Sequence, residues 1–251
     1  MRLSRFFSAV PLAAHQELLL SEAAAAHAVR VLRLNVGAEL VLFDGSGGEY
    51  PARILASDRQ GVRVRLGALE RTDRESPLQV TLLQGISRGD RMDFIVQKAT
   101  ELGVQRLVPL LCERSVVKLD AAQADRKRAH WQAIAISACE QCGRNRLPEL
   151  EAVRKFDVAC AALATQGLPR FMLEVGAGQG LLVASRAALT GADLRRAALL
   201  IGPEGGLADA ERETARHHGF IGVSLGPRVL RTETAPLAAL AVLQAAAGDL
   251  G

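Results

Sequence analysis

Two segments near the C-terminal end hold residue types whose spacing suits chemistry. Ile201-Gly202-Pro203-Glu204-Gly205-Gly206-Leu207 follows an apolar run, Ala197–Ile201. Glycines there let backbone N–H and C=O groups approach a ligand closely, and strand ends in parallel sheets are where ligands bind. An ordinary turn needs less specialised sequence. Ser224–Ala235 reads SLGPRVLRTETA and has neither a helical nor a strand period. Leu225-Gly226-Pro227 ends a strand and turns the chain, while Thr232-Glu233-Thr234 is suited to capping the helix that follows. Capping leaves unexplained why Arg228 and Arg231 flank the apolar pair Val229-Leu230. Arginines so placed can hold a planar anion or phosphate.

Two further motifs carry less. Leu173–Gly180, LEVGAGQG, is similar to the glycine loop of doubly wound methyltransferases, with Asp193 at the distance of a ribose-binding acid. That fold places its glycine loop after the first strand, and only 71 residues follow Gly180. The stretch is therefore read as a glycine-rich loop after a strand, bordering a ligand. Cys139-Glu140-Gln141-Cys142 is a C-x-x-C without a second pair or a histidine at ligand spacing, so packing cysteines are expected and no metal.

These motifs need a scaffold. From Leu78 onward strands and helices alternate: strand Leu78–Gln84, helix Asp90–Leu102 closed by Gly103, strand Arg106–Leu111 and helix Ala121 to about Cys142. Strands Arg170–Val175 and Ala197–Gly202 follow, then a terminal apolar helix Ala235–Ala247. Such alternation predicts a parallel sheet covered by helices. Before it, Ser21–Arg33 reads as a short helix capped by Ser21. Glu39–Asp44, Tyr50–Ser57 and Gly61–Leu69 read as strands of a small β barrel or sandwich. Glu70–Pro77 is polar and reads as a linker. The expected domains are 1–72 and 73–251.

Composition bounds the rest. The 251 residues are 49% apolar and 23% charged, which excludes a disordered chain. The apolar stretch Ala235–Gly248 is shorter than the ~20 residues a bilayer needs. Four cysteines are too few for a disulfide framework, so a reduced, cytoplasmic protein is expected. Net charge is +4, with 27 Arg and four Lys. The segment Arg106–Lys155 alone has ten basic and six acidic residues, and Arg2, Arg5, Arg30 and Arg33 add a basic set near the N-terminus. A solvated surface is the plain reading of such charge; RNA backbone contact is the functional one.

IGPEGG followed by LGPRVLRTETA resembles the cofactor site of the α/β-knot (SPOUT-class) RNA methyltransferases, and within them the 16S rRNA uridine-N3 branch. The resemblance spreads over most of the chain. MRLSRFF, His27–Arg33 (HAVRVLR) and Phe43-Asp44-Gly45 are similar to that branch's PUA-like N-terminal domain. Arg91-Met92-Asp93, Gln97–Val104 (QKATELGV), Glu113–Val117 (ERSVV) and Glu140–Asn145 (EQCGRN) are similar to its catalytic domain. LEVGAGQG departs from it, being richer in glycine than expected. The resemblance implies an α/β trefoil-knot domain with a parallel sheet beside a small PUA-like β-barrel, and a homodimer; the apolar helix Ala235–Ala247 suits a dimer face and packing on its own sheet equally. It implies S-adenosylmethionine bound by Leu173, Glu174, Ile201, Gly202, Pro203, Glu204, Gly205, Gly206, Leu225, Gly226, Val229 and Leu230. It also implies methylation of N3 of a uridine in 16S rRNA of the small ribosomal subunit, position 1498 in the usual rRNA numbering. Arg228 and Arg231 are the expected contacts to the base and its phosphates, and Glu233 the carboxylate that accepts a proton or orients Arg231. Arg2, Arg5, Arg30, Arg33 and Arg144 are the expected RNA contacts. Ribose 2′-O methylation by another knotted enzyme, and an inactive RNA-binding protein, are the alternatives.

Overall fold

The computed structural model describes residues 3–189 and 195–251. The chain divides into two compact units, Met1–Glu75 with Ile136–Leu147, and Ser76–Ala135 with Pro148–Gly251.

The first unit is one five-stranded sheet rather than a sandwich. Its strands are β1 (Ser4–Phe7), β2 (Glu17–Leu19), β3 (Glu39–Phe43), β4 (Tyr50–Asp58) and β5 (Gly61–Leu66), in the order β1-β3-β4-β5-β2. In β5, Val62, Val64 and Leu66 are buried while Arg63 and Arg65 are exposed, as period-two alternation requires. The turn Asp44–Gly48 is built on the Asp44 carboxylate, which accepts from Ser46 N at 3.0 Å and Leu12 N at 2.9 Å. Ser21 caps α1 (Glu22–Ala26), accepting from Ala24 N at 3.2 Å. The helix expected to run on to Arg33 instead widens into one π-helical turn, His27–Val31, and Arg33 ends it at φ 55°. Strands β1 and β2 carry too few alternating residues to be visible as patterns.

The second unit is a seven-stranded sheet whose pairings are all parallel. Its members are β6 (Leu78–Gly85), β7 (Val104–Leu111), β8 (Glu149–Leu150), β9 (Arg154–Lys155), β10 (Arg170–Leu173), β11 (Arg195–Ile201) and β12 (Ile221–Val223). The order is β12-β10-β11-β6-β7-β8, and β9 also pairs with β7. Central strands covered on both faces must be apolar throughout, and Ala197–Ile201 is buried at every position. Alternate residues feed two cores. Leu82, Phe171 and Leu199 meet Ile95, Trp131, Leu181 and Leu240 on one side. Leu83, Met172 and Leu200 meet Phe156, Leu163 and Ala215 on the other.

The first side is covered by α2 (Asp90–Glu101), α5 (Leu181–Leu189) and α7 (Thr234–Ala247), with Trp131 reaching it from α3 (Ala121–Cys142). The second is covered by α4 (Phe156–Ala164) and α6 (Asp209–His217). Helix α7 buries Ala239, Leu240 and Leu243 against its own sheet, α2 and α5. No described helix is long and apolar enough to cross a membrane. The polar stretch 70–77 is held rather than free. Arg74 bonds Glu49 and the Gly143 carbonyl within the first unit. In the second, Ser76 Oγ donates to Gln244 Oε1 at 2.6 Å.

Candidate active site

Three loops leave the carboxyl ends of neighbouring parallel strands in the second unit: 174–180 after β10, 202–208 after β11 and 224–233 after β12. Sequence order places them far apart; the strand order β12-β10-β11 makes them adjacent. Between them lies a cavity of about 610 Å³, within the size range of small-molecule sites.

The end of β10 and its loop contribute Leu173, Glu174 and the exposed Val175; the end of β11 and its loop Ile201, Gly202, Pro203, Glu204 and Gly206; the third loop Leu225, Gly226, Val229 and Leu230. Arg228, Arg231 and Glu233 line the same cavity. Gly205 does not. A Cβ there would meet Arg114 Cβ and the Arg114 carbonyl, both at 3.0 Å, so its missing side chain serves packing against the chain after β7. At Gly202 a Cβ would come within 2.9 Å of Leu207 N, which fixes how tightly the loop folds.

A polar cluster beneath the loops ties them together. Thr232 Oγ1 donates to the Gly202 carbonyl at 3.1 Å and lies 3.2 Å from Ser87 Oγ. Gln84, fully buried at the end of β6, donates from Nε2 to Gly85 O, Gly202 O and Thr232 Oγ1. The expected role of Thr232 as a helix cap is therefore corrected: its hydroxyl joins two cavity loops. The N-cap of α7 is Glu233, whose side chain makes no capping bond. Gly85 completes the junction, because a Cβ there would lie 2.5 Å from Pro203 N.

Charge is distributed unevenly along the walls. Glu174 binds Arg216 Nη2 with both oxygens, at 2.8 and 2.9 Å, and Arg212 lies 3.7 Å away. Glu204 Oε1 accepts from Arg88 N at 2.8 Å and Arg91 Nη1 at 3.1 Å. Burial pushes the Glu204 carboxyl up, but the Arg88 amide, its own amide and Arg91 outweigh this and hold it below the usual carboxylate value. Glu233 Oε2 lies 3.8 Å from Arg91 Nε. The Oε2 atoms of Glu204 and Glu233 are buried and have no hydrogen-bond donor among the described residues. Arg228 and Arg231 are exposed and form no ion pair among the described residues.

Other expectations fare differently. Arg5 and Arg144, expected on RNA, are buried in the first unit and committed to protein partners, which corrects both assignments. Arg5 pairs with Glu49 and donates to Asn145 Oδ1 at 2.5 Å. Arg144 pairs with Glu75 at 2.6 Å. Arg30 and Arg33 are exposed. Arg2 and Asp193 lie outside the described residues. All four cysteines are free. Burial pushes the Cys139 and Cys160 thiols up to about 12, away from reactive thiolates. The described residues hold no cluster of metal ligands. Arg91, Thr232, Gln84 and Gly85 were missed as parts of the site. Arg91 stands over a hundred residues before the loops it touches, and only the resemblance of Arg91-Met92-Asp93 marked its neighbourhood.

An RNA methyltransferase domain model matches residues 74–244, and an RNA methyltransferase PUA domain model matches residues 20–67. The Bacillus subtilis ribosomal RNA small subunit methyltransferase E is 34% identical over 218 residues, covering 86% of this chain and 85% of its own. The chain belongs to the ribosomal RNA small subunit methyltransferase E family. Solved structures agree over the whole length. A Legionella pneumophila methyltransferase, in complex with S-adenosylmethionine, is 40% identical, with a TM-score of 0.91 and full coverage of both chains. The Neisseria gonorrhoeae ribosomal RNA small subunit methyltransferase E, bound to S-adenosylmethionine, is 35% identical, with a TM-score of 0.86 and full coverage of both. Membership gives the three-loop cavity its context: this is a methyltransferase domain, preceded by a PUA-type domain.

Proposed function

We propose that this chain methylates N3 of a uridine in 16S rRNA of the small ribosomal subunit, with S-adenosylmethionine as cofactor, and that it acts in the cytoplasm as a homodimer. Family membership supports the enzyme class. The observation that carries the finer reading is one cavity holding, among the described residues, two carboxylates with an unbonded oxygen and two arginines that form no ion pair.

The residues present suit the cofactor. It carries an ammonium group, a sulfonium and a carboxylate, so its site needs acidic groups, at least one donor to an anion, and apolar walls. Glu174, Glu204 and Glu233 supply the first, and Ile201, Leu225 and Leu230 the last. Glycines 202, 206 and 226 leave backbone groups within reach. S-adenosylmethionine supplies an electrophilic methyl group that departs as its C–S electron pair returns to sulfur.

Uridine N3 is a poor nucleophile until it loses its proton. Glu233 accepts that proton, and the electron pair left on N3 forms the new N–C bond. Arg228 and Arg231 face the base and its phosphates and stabilise the negative charge that develops on the uracil. Exposed Arg30 and Arg33 contact the RNA backbone. The loop after β12 crosses to Gly202 and Gln84 at the ends of β11 and β6 before α7 begins, a path that suits a trefoil knot.

The test is transfer of labelled methyl from S-adenosylmethionine to small subunits from a strain lacking this gene, followed by nucleoside chromatography. Label in 3-methyluridine supports the reading. Label in a ribose-methylated nucleoside assigns the chain to the other knotted activity. Tight cofactor binding with no transfer to any RNA contradicts catalysis.

A further inference from the structure

We propose that Arg91 is the positioning residue of the methyl-transfer site, a single guanidinium that fixes Glu204 and Glu233 on two different cavity loops. The inference rests on the functional reading above and assigns a division of labour among its arginines.

Arg91 stands in the first turn of α2, on an element separate from all three loops. Its Nη1 donates to Glu204 Oε1 at 3.1 Å, and its Nε faces Glu233 Oε2 at 3.8 Å. Glu204 is held twice, since the Arg88 amide donates to the same oxygen at 2.8 Å. Among the described residues Glu233 has no hydrogen-bond donor on Oε2; Arg91 is its cation, close enough to attract and too far to bond. That arrangement keeps the carboxylate in place while leaving an oxygen able to accept a proton. Arg228 and Arg231, on the same loop as Glu233, make no ion pair with it. The expectation that Glu233 orients Arg231 is thus replaced. Arg91 serves the protein's carboxylates, and Arg228 and Arg231 remain for the substrate. A planar fork reaching two acceptors in different directions suits arginine better than lysine.

The test compares Arg91→Met and Arg91→Lys with Glu233→Gln and the Arg91→Met/Glu233→Gln double variant. Melting temperature first shows that each is folded. In the cofactor-free protein, carboxyl carbon NMR follows Glu204, assigned through Glu204→Gln. Arg91→Met is expected to move its titration upward, since one cation is lost while the Arg88 amide remains. With small subunits as substrate, Arg91→Met is expected to lower kcat at least tenfold, with KM for the subunit changed less than threefold. Arg91→Lys recovers part of the loss. The double variant is expected to lose less than the product of the two single losses, because Arg91 acts in part through that carboxylate and in part through Glu204.

Wild-type kcat in Arg91→Met, an unmoved Glu204 titration, or multiplicative losses in the double variant would each overturn the proposal. Full turnover in Glu233→Gln would instead overturn the proton-acceptor assignment of the functional reading, and with it the Glu233 half of this one; the Glu204 titration would still report on the other half.

Discussion

Among the described residues Arg231 lines the cavity without a carboxylate partner, whereas Arg91, lining the same cavity, has two. In the proposed mechanism the Arg231 guanidinium faces the uracil as negative charge develops on it, and so acts mainly in the transition state. Arg231→Ala should therefore lower turnover about a hundredfold, equivalent to roughly 2.7 kcal/mol of barrier. Cofactor affinity measured by calorimetry and melting temperature should stay close to wild type; a near-wild-type rate would move the role to Arg228. Gly205 illustrates the opposite outcome. Its motif pointed to the cofactor, yet its Cβ position faces Arg114. Gly205→Val should lower the melting temperature by displacing the chain after β7, and a selective loss of cofactor affinity at unchanged stability would contradict this placement.

At the scale of elements, the site depends on the junction where three strand ends meet. Thr232→Val keeps the shape and removes the hydroxyl that bonds Gly202 O and accepts from Gln84. Leaving those buried groups short of a partner should cost roughly 1–3 kcal/mol in denaturant unfolding. Cofactor affinity should weaken several-fold, because two cavity loops lose their tie. A stability loss with unchanged affinity would show that the loops hold their shape without it.

Much of this level was legible in the sequence. Apolar runs such as Ala197–Ile201, punctuated by glycine and proline, give parallel strands and ligand-bearing loops, and the positions of the late loops follow. Three-dimensional ties were not legible. Nothing local marks Arg91 as reaching Glu204, or Thr232 as bonding Gly202 instead of capping α7. Strand β1, four residues long, offers too short a pattern. Arg5 and Arg144 were misread for a related reason: composition reports charge but not burial.

For the whole molecule, the buried ion network of the first unit sets the response to acid. Burial alone would push the Glu49 carboxyl up. Hydrogen bonds from Arg74 and Arg5, the charge of Arg5, and Asn145 reverse this and bring it down to about 2. A carboxylate whose folded value lies below its unfolded one adds stability above the unfolded value. That stability is lost as pH falls from about 4.5 toward about 2. Chemical unfolding followed from pH 6 to pH 2 should lose roughly 3 kcal/mol through this group. Glu49→Gln should be less stable at pH 6 and show a shallower slope. An unchanged slope would contradict the assignment. RNA affinity is the other property of the whole chain. With Arg30, Arg33, Arg228 and Arg231 on phosphates, log affinity should fall linearly with log salt, while cofactor affinity barely moves. A flat dependence would leave the basic surplus as surface charge.

In the proposed reaction the three-loop cavity delivers a methyl group to uridine N3 in the small subunit. Nucleoside mass analysis of 16S rRNA from a deletion strain, complemented with the wild-type gene or with Arg231→Ala, tests it most directly. One 3-methyluridine is expected to disappear on deletion, to return with the wild-type gene and to stay strongly reduced with the variant. Persistence of 3-methyluridine in the deletion strain, or loss of a ribose-methylated nucleoside in its place, would contradict it.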